Sequence, residues 1–427
     1  MILLYRILTK ITFPLLFILI FFRIILKKED SVRYKEKIFS SSFNVEKNNN
    51  KKLIWFHAAS IGELKSIIPI IQRLNLDLEN IEFLVTTNTL SSSKIADLEF
   101  KRLTNVSHRF FPYDVDFLIN KFLMLWKPNY IFLVDSEIWP NLLLKSKSLG
   151  IPLAIINARI TSKSFKRWMM FPKTAVKIFS CFDLCLASNY ETEKFFKTLQ
   201  VKNVYLNGNI KLIHEINAVD IHNDNEKFLL SNKFWIAAST HEGEEELCLK
   251  THLLLKEKEK NFFTIIAPRH IQRVHKIKSL CRKFNLSAQI LNYGDLIDPN
   301  SEIIILNSFG ILQNYFKYAK SVFIGKSTIK KLKNDGGQNP LEAAKLSCKI
   351  YHGPYVYNFN DIYEILKKNN ISFIINDHNE LSNCLRKDFE SHKKKDAKIA
   401  EIIKELGDKT LVNTLKYINN FISNGTK

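Results

Sequence analysis

The stretch Trp55-Phe56-His57-Ala58-Ala59-Ser60-Ile61-Gly62-Glu63 decides how the chain is read. Lys52 to Phe56 is a short apolar run bounded by Asn and Lys, which predicts a buried strand. Leu64 to Leu74 carries Leu64, Ile67, Ile68, Ile71 and Leu74 at helical spacing, which predicts a helix. The small-residue turn between them ends on a carboxylate. In an open α/β sheet such a turn lies at the carboxyl ends of the strands, where ligands bind. Glu63 is therefore either a first-turn acid that caps the helix or a general base facing a ligand.

Working outward, the same strand-then-turn pattern recurs. Ile81 to Thr86 predicts a strand that ends in Thr86-Thr87-Asn88-Thr89, read as a helix N-cap or as polar ligand contacts. His108 to Phe111 runs into Pro112-Tyr113-Asp114. Tyr130 to Val134 stops at Asp135-Ser136-Glu137, before a helix opened by Trp139-Pro140-Asn141. Two acids just past a strand end repel unless they are solvated, paired or facing a cation. Pro152 to Ile156 ends in Asn157-Ala158-Arg159; Leu184 to Ala187 in Ser188-Asn189; Val204 to Leu206 in Gly208-Asn209-Ile210-Lys211. Strands alternating with helices are the pattern of a parallel, doubly wound sheet.

His214 to Lys233 is polar and has little periodicity, and a second α/β series comes after it. Phe234 to Ala238 leads into Ser239-Thr240-His241-Glu242-Gly243-Glu244-Glu245, read as a Ser or Thr cap with acids in the first turn. Phe262 to Ala267 leads into Pro268-Arg269-His270 and Arg273, cationic groups suited to an anion. Ile303 to Leu306 precedes Phe309-Gly310-Ile311, and Val322 to Ile324 precedes Gly325-Lys326-Ser327. Lys320 stands where a P-loop needs its first glycine, which excludes a P-loop NTPase. Asp335 to Glu342 joins a glycine turn to a helix. Adjacent glycines there let backbone N–H groups approach a phosphate, and Glu342 is placed to accept from ribose hydroxyls. Asp396 to Ile422 predicts a tail helix that packs back on the first domain. These boundaries give an anchor over 1–28, an amino-terminal domain over 29–215, a carboxy-terminal domain over 234–395 and the tail helix over 396–427.

At the amino terminus, Ile11 to Phe22 is uncharged and is flanked by Lys10, Arg23, Lys27 and Lys28. This run is shorter than the roughly 20 residues of a comfortable spanning helix. A helix lying in or dipping into the bilayer, with cations at the headgroups, fits better than a removed signal peptide or a buried first helix; a short span with Arg23 snorkelling is the alternative. The basic flank places the downstream domain on the cytoplasmic side. The chain of 427 residues has 63 basic and 42 acidic side chains, a net charge of +21. That balance favours anionic partners. No zinc-finger spacing, RNA-binding signature or basic-region heptad points to nucleic acid. The six cysteines are scattered without a CxxC pair, as expected of reduced thiols; Cys181 and Cys185 fall in a stretch, Ile178 to Leu186, that reads as a strand rather than a metal site.

Taken in order, HxxSxGE at 57–63, Thr86 to Thr89, DSEIWPN at 135–141, NAR at 157–159, GNIK at 208–211, STHEGEE at 239–245, APRHxxR at 267–273 and GGxNPLEAA at 336–344 resemble the 3-deoxy-D-manno-octulosonic acid (Kdo) transferases of lipopolysaccharide inner-core synthesis. The resemblance covers nearly the whole chain. It implies a GT-B fold, two Rossmann-like domains facing a cleft, with an amino-terminal membrane-anchor helix. It also implies an inverting transfer of Kdo from CMP-Kdo to the lipid A precursor lipid IVA, at the cytoplasmic face of the inner membrane, with no catalytic metal and no cofactor besides the donor. By motif, Glu63 is the general base, and Asp135 and Lys211 stabilise the transition state. CMP contacts fall on Pro268 and Arg269, on Phe309, Gly310 and Ile311, and on Asn339, Pro340, Leu341 and Glu342. Asp135 stands where the family has Glu, Gln338 where it has His, Lys326 where it has Gly, and Ile311 where it often has Glu. The competing readings are another GT-B nucleotide-sugar enzyme, such as an epimerase, and a basic membrane-associated binding protein without catalysis.

Overall fold

The structure is a computed structural model. It describes residues 1–427 apart from 44, 46, 49, 215, 217–219, 309, 334–335, 392–394 and 425–427. The chain divides into two compact units. The first is Met1–His214 with Gly407–Lys427, and the second is Glu215–Leu406.

In chain order the first unit contains α1 (Ile2–Ile25), β1 (Lys52–His57), α2 (Ile61–Asp77), β2 (Ile81–Thr87), α3 (Leu90–Glu99), β3 (Val106–Phe110), α4 (Asp116–Trp126), β4 (Tyr130–Val134), α5 (Pro140–Ser148), β5 (Leu153–Ala158), α6 (Ser162–Trp168), α7 (Pro172–Phe179), β6 (Leu184–Ala187), α8 (Tyr190–Thr198) and β7 (Val204–Leu206). All seven strands are parallel, in the order β3-β2-β1-β4-β5-β6-β7. The order reverses between β1 and β4, so the turns after these two strands flank the switch point of the sheet.

Strand alternation builds two cores. Leu53 and Trp55 of β1 face one side, with α4, α5, α7 and α8. Ile54 and Phe56 face the other, with α2 and the tail. The stretch from Ile178 to Leu186 is not one strand. Pro172 opens α7, whose Ala175, Ile178 and Phe179 are buried at helical spacing. The strand starts only at Leu184, after the Asp183 carboxylate has accepted the Leu153 N–H at 3.1 Å.

The second unit contains α9 (Asn223–Ser231), β8 (Lys233–Thr240), α10 (Glu244–Lys256), β9 (Phe262–Pro268), α11 (Val274–Lys283), β10 (Ala288–Leu291), β11 (Ile303–Leu306), α12 (Leu312–Phe316), β12 (Ser321–Ile324), α13 (Leu341–Lys345), β13 (Lys349–His352), α14 (Asn360–Lys368), β14 (Ser372–Ile374), α15 (His378–Glu390) and the start of α16 (Ala397–Asn424). Its sheet has the same plan: β10-β11-β9-β8-β12-β13-β14, all parallel. The cap of α10 is Gly243 at φ +100, not a Ser or Thr, because Ser239 and Thr240 still belong to β8.

From Gly407 onward α16 belongs to the first unit. Ile418 and Ile422 are buried beside Phe56 and Phe132. The Tyr130 hydroxyl donates to the Ile422 carbonyl at 2.6 Å, and the Asn207 amide donates to the Thr414 hydroxyl at 2.7 Å. Two buried Ile side chains contribute about 2 kcal/mol each, so the tail is a structural part of the first unit.

α1 is a continuous helix of 24 residues, longer than its uncharged run. One side is tied to the first unit. Tyr5 donates to Asp114 at 2.9 Å, Phe13 meets Phe117 edge-on at 5.2 Å, Ile20 is buried, and Arg23 pairs with Glu29 at 3.2 Å. The remainder, including Leu3, Ile11, Leu15 and Phe22, is exposed. Among the described residues, α1 is the helix long and apolar enough to cross a membrane.

Candidate active site

Glu63 lies just past β1 at the switch point of the first sheet. Ser60 caps α2 by accepting from the Glu63 N–H. The Glu63 carboxylate in turn accepts from the Ala59 N–H at 2.8 Å and from the Ser60 hydroxyl at 2.7 Å. This is a reciprocal cap, so the capping reading of Glu63 is realised. The same carboxylate is also electrostatically perturbed. Burial above all, then the charge of Asp135 and that of Glu137, push its pKa up to about 7, against the opposing pull of the Ser60 and Ala59 hydrogen bonds. A group near 7 exchanges a proton readily at neutral pH.

Asp135 lies just past β4, on the other side of the switch point. Its backbone is left-handed, φ +63, and is fixed by N–H donation to Ile156 and by acceptance from the Arg159 N–H at 3.1 Å. This conformation is sparsely populated outside glycine and is tolerated best by Asn and Asp. Its carboxylate meets Lys211 Nζ at 2.6 Å, with both side chains largely buried. Asp is one methylene shorter than the usual Glu, and it still reaches the lysine.

Lys211 is positioned by two asparagines from different motifs. Asn209 accepts the Lys211 N–H at 3.0 Å. Asn157, itself at φ +52, accepts the Ile210 N–H at 3.0 Å. The NAR and GNIK motifs are thus one device that presents the ammonium. The second acid, Glu137, accepts from Trp139 Nε1 at 2.7 Å and lies 3.3 Å from Nε2 of His57. His57 is fully buried, stacked on Phe111, and its Nδ1 lies 2.9 Å from the Thr86 hydroxyl. Thr86 is therefore occupied inside the core, and the helix cap in that motif is Thr89, which accepts from the Ser92 N–H.

In the second unit the sites expected to hold CMP all come after strands of one parallel sheet, at its carboxyl edge. Pro268 is the buried last residue of β9, and Arg269 and His270 are exposed just beyond it. Arg273 is not free for an anion, because it forms a bidentate pair with buried Glu245 at 2.8 and 3.0 Å. Gly310, at φ +78, and Ile311 precede α12, which packs against α13; Phe309 lies outside the described residues, as does Asp335. Asn339 accepts the Leu341 N–H at 3.1 Å and so opens α13; Pro340 and Leu341 are buried, and Glu342 is exposed in the first turn.

The adjacent glycines are also required by packing. A Cβ on Gly336 would stand 2.3 Å from the Tyr355 carbonyl oxygen. The Gly337 N–H already donates to the Lys326 carbonyl at 2.6 Å.

Glu244 is the residue whose weight the linear pattern concealed. It is buried, and its carboxylate gathers the turn after β12. It accepts the N–H groups of Lys326 at 2.6 Å, Ser327 at 2.9 Å and Thr328 at 3.1 Å, the Thr328 hydroxyl at 3.0 Å, and the His241 N–H at 2.9 Å. Gly325 allows this approach, since a Cβ there would lie 2.6 Å from the Ser239 carbonyl oxygen. The only local clue was an acid in a first turn. Glu244→Gln turns one acceptor into a donor facing backbone N–H groups. We expect it to lower stability by about 3 kcal/mol in urea unfolding. A change within about 0.5 kcal/mol would show that the turn holds without the clamp.

Two doubly wound parallel sheets, with polar groups at the carboxyl edge of each, are the fold of the GT-B class. The chain is similar in fold to the UDP-GlcNAc 2-epimerase of Neisseria meningitidis solved with UDP-GlcNAc (TM-score 0.57, 12% identity, 88% of this chain and 100% of that one). It is also similar to a glycosyltransferase of Rickettsia africae (TM-score 0.54, 12% identity, 88% and 99%). Residues 33–213 match the family described as 3-deoxy-D-manno-octulosonic-acid transferase (kdotransferase). The 3-deoxy-D-manno-octulosonic acid transferase of Rickettsia typhi is 30% identical over 438 aligned residues, covering 90% of this chain and 91% of that one. The chain belongs to the Kdo transferase family.

Proposed function

We propose that the protein moves Kdo from CMP-Kdo to the lipid A precursor lipid IVA, with inversion at the sugar, at the cytoplasmic face of the inner membrane. The observation that carries this reading is the Glu63 carboxylate, held near neutrality beside the Asp135–Lys211 pair at the switch point of the first sheet. Glu63 takes the proton of the acceptor hydroxyl as that oxygen attacks the anomeric carbon. The bond from sugar to CMP breaks, and the electron pair leaves on the phosphate. Lys211, oriented by Asp135, supplies a fixed positive charge where negative charge develops. In the second unit Arg269 meets the phosphate, Glu342 the ribose, and Pro268, Gly310, Ile311, Asn339, Pro340 and Leu341 shape the nucleotide pocket. This assignment uses side-chain charge and calls for no metal or further cofactor. The exposed face of α1, with its flanking cations, keeps the enzyme at the bilayer that carries the acceptor.

Incubation with CMP-Kdo and lipid IVA is expected to release CMP only when both are present, with a product heavier by Kdo. CMP release without the lipid, or isomerisation of a nucleotide sugar, would replace this reading with that of another GT-B enzyme. An absence of any turnover would favour a binding protein.

A further inference from the structure

Between Glu137 and Asp183 the chain has no acidic residue and eight basic ones. The centre of this stretch is the corner where α6 ends and α7 begins. Lys163, Lys166, Arg167 and Lys173 are exposed there, and between them Met170 and Phe171 are 71% and 47% exposed. The exposure is built in. Phe165 stacks on Phe195 at 4.0 Å, Trp168 meets Phe179 edge-on at 5.1 Å, and the Phe171 N–H donates to the Trp168 carbonyl at 3.0 Å. The neighbouring apolar residues are thus committed to the core, and the backbone turn holds two large apolar side chains outward. Glu191 of α8 bonds Ser162 in the first turn of α6, whereas Met170 and Phe171 come after its last.

The corner packs on the same core as α1. Trp168 and Met169 pack on the same side of the first sheet as Ile2 and Phe13 of α1. On that side α4 exposes Phe117 and Met124. At the corner itself the apolar side chains are ringed by cations without an acid from its own stretch, and on α4 the acid beside Phe117, Asp116, is paired with Arg6 at 3.4 Å. Such a surface is complementary to an anionic bilayer and poorly suited to a neutral protein partner.

We propose that the α6–α7 corner is a second membrane contact, in which Met170 and Phe171 enter the acyl boundary and the four cations meet anionic headgroups. It rests only on the membrane reading of α1, not on the reaction. The test places an environment-sensitive fluorophore at Met170→Cys in full-length Cys384→Ser protein, the other cysteines being buried. A label at Leu76→Cys, on the exposed face of α2, is the control. On phosphatidylglycerol vesicles the label at 170 is expected to shift to the blue and to be quenched by spin-labelled acyl chains, and the label at 76 is not. Adding Lys166→Glu and Arg167→Glu is expected to remove the shift while α1 still carries the protein down with the vesicles. A label at 170 that stays in water on sedimented vesicles overturns the contact but leaves α1 as an anchor. Failure to sediment overturns both. Should Lys166→Ser with Arg167→Ser cut turnover on detergent-dispersed lipid acceptor, those cations hold the acceptor rather than bulk lipid, and the proposal is likewise overturned.

Discussion

Glu63→Gln is expected to lower turnover with CMP-Kdo and lipid acceptor by about a hundred- to ten-thousand-fold and to leave CMP affinity unchanged. The carboxylate is in the first unit and the residues proposed to hold the nucleotide are in the second, so the substitution is expected to remove the proton transfer without touching the proposed CMP contacts. The pH dependence gives an independent sign. Burial and the Asp135 charge raise the Glu63 pKa from 4.5 to about 7, and a base works only when unprotonated. The parent kcat/KM should therefore fall about tenfold per pH unit below 7 and level off above it. The Gln variant should lose this limb along with the rate.

Stability separates this from misfolding. Because the folded pKa lies above the unfolded one, ionising Glu63 costs stability as pH rises from 4.5 towards 7. Gln removes that penalty while giving up part of the cap, so the variant should melt close to the parent at pH 8. Full turnover in the variant, or an unchanged acid limb, would end the assignment of Glu63 as base.

The Asp135–Lys211 pair makes the second large prediction, and the two partners should act in opposite directions on the pH profile. Lys211→Met removes the fixed cation, with an expected loss of about a hundred- to a thousand-fold in kcat. It also leaves the Asp135 charge unbalanced near Glu63, which pushes the Glu63 pKa further up. Its acid limb should move above pH 7. Asp135→Asn removes the second-largest cause of the Glu63 shift, so its limb should move below 7 even though the lysine has lost its partner. pH–rate profiles of the two variants decide the matter. Limbs that coincide with the parent would show that the pair is only a structural bridge between the turn after β4 and residue 211.

Much of this arrangement was legible in the linear order of residues. The uninterrupted apolar runs at Tyr130–Val134, Leu184–Ala187 and Ile303–Leu306 mark strands because a parallel strand buried on both faces needs continuous apolar side chains. The chemistry-bearing residues stand just past such runs, so Glu63, Asp135 and Arg269 could be picked out from position alone. β10, β13 and β14 were harder. Ala288-Gln289-Ile290-Leu291, Lys349-Ile350-Tyr351-His352 and Ser372-Phe373-Ile374 are short and carry polar groups, and they become strands by pairing with neighbours already in place.

What the sequence determined by itself was the alternation of elements and the identity of the groups at their ends, because burial period and turn chemistry act over a few residues. Which of those groups meet was decided only in three dimensions. Asp135 pairs with a lysine 76 positions away, Arg273 is claimed by Glu245, Gly337 spends its N–H on Lys326, and Glu244 ties the turns after β8 and β12 together. The Arg273–Glu245 and Glu244–Lys326 contacts join turns of strands that the sheet order makes neighbours, while Asp135 and Lys211 follow strands three places apart in the sheet. That order comes from non-local hydrogen-bonded pairing, which no window of sequence contains.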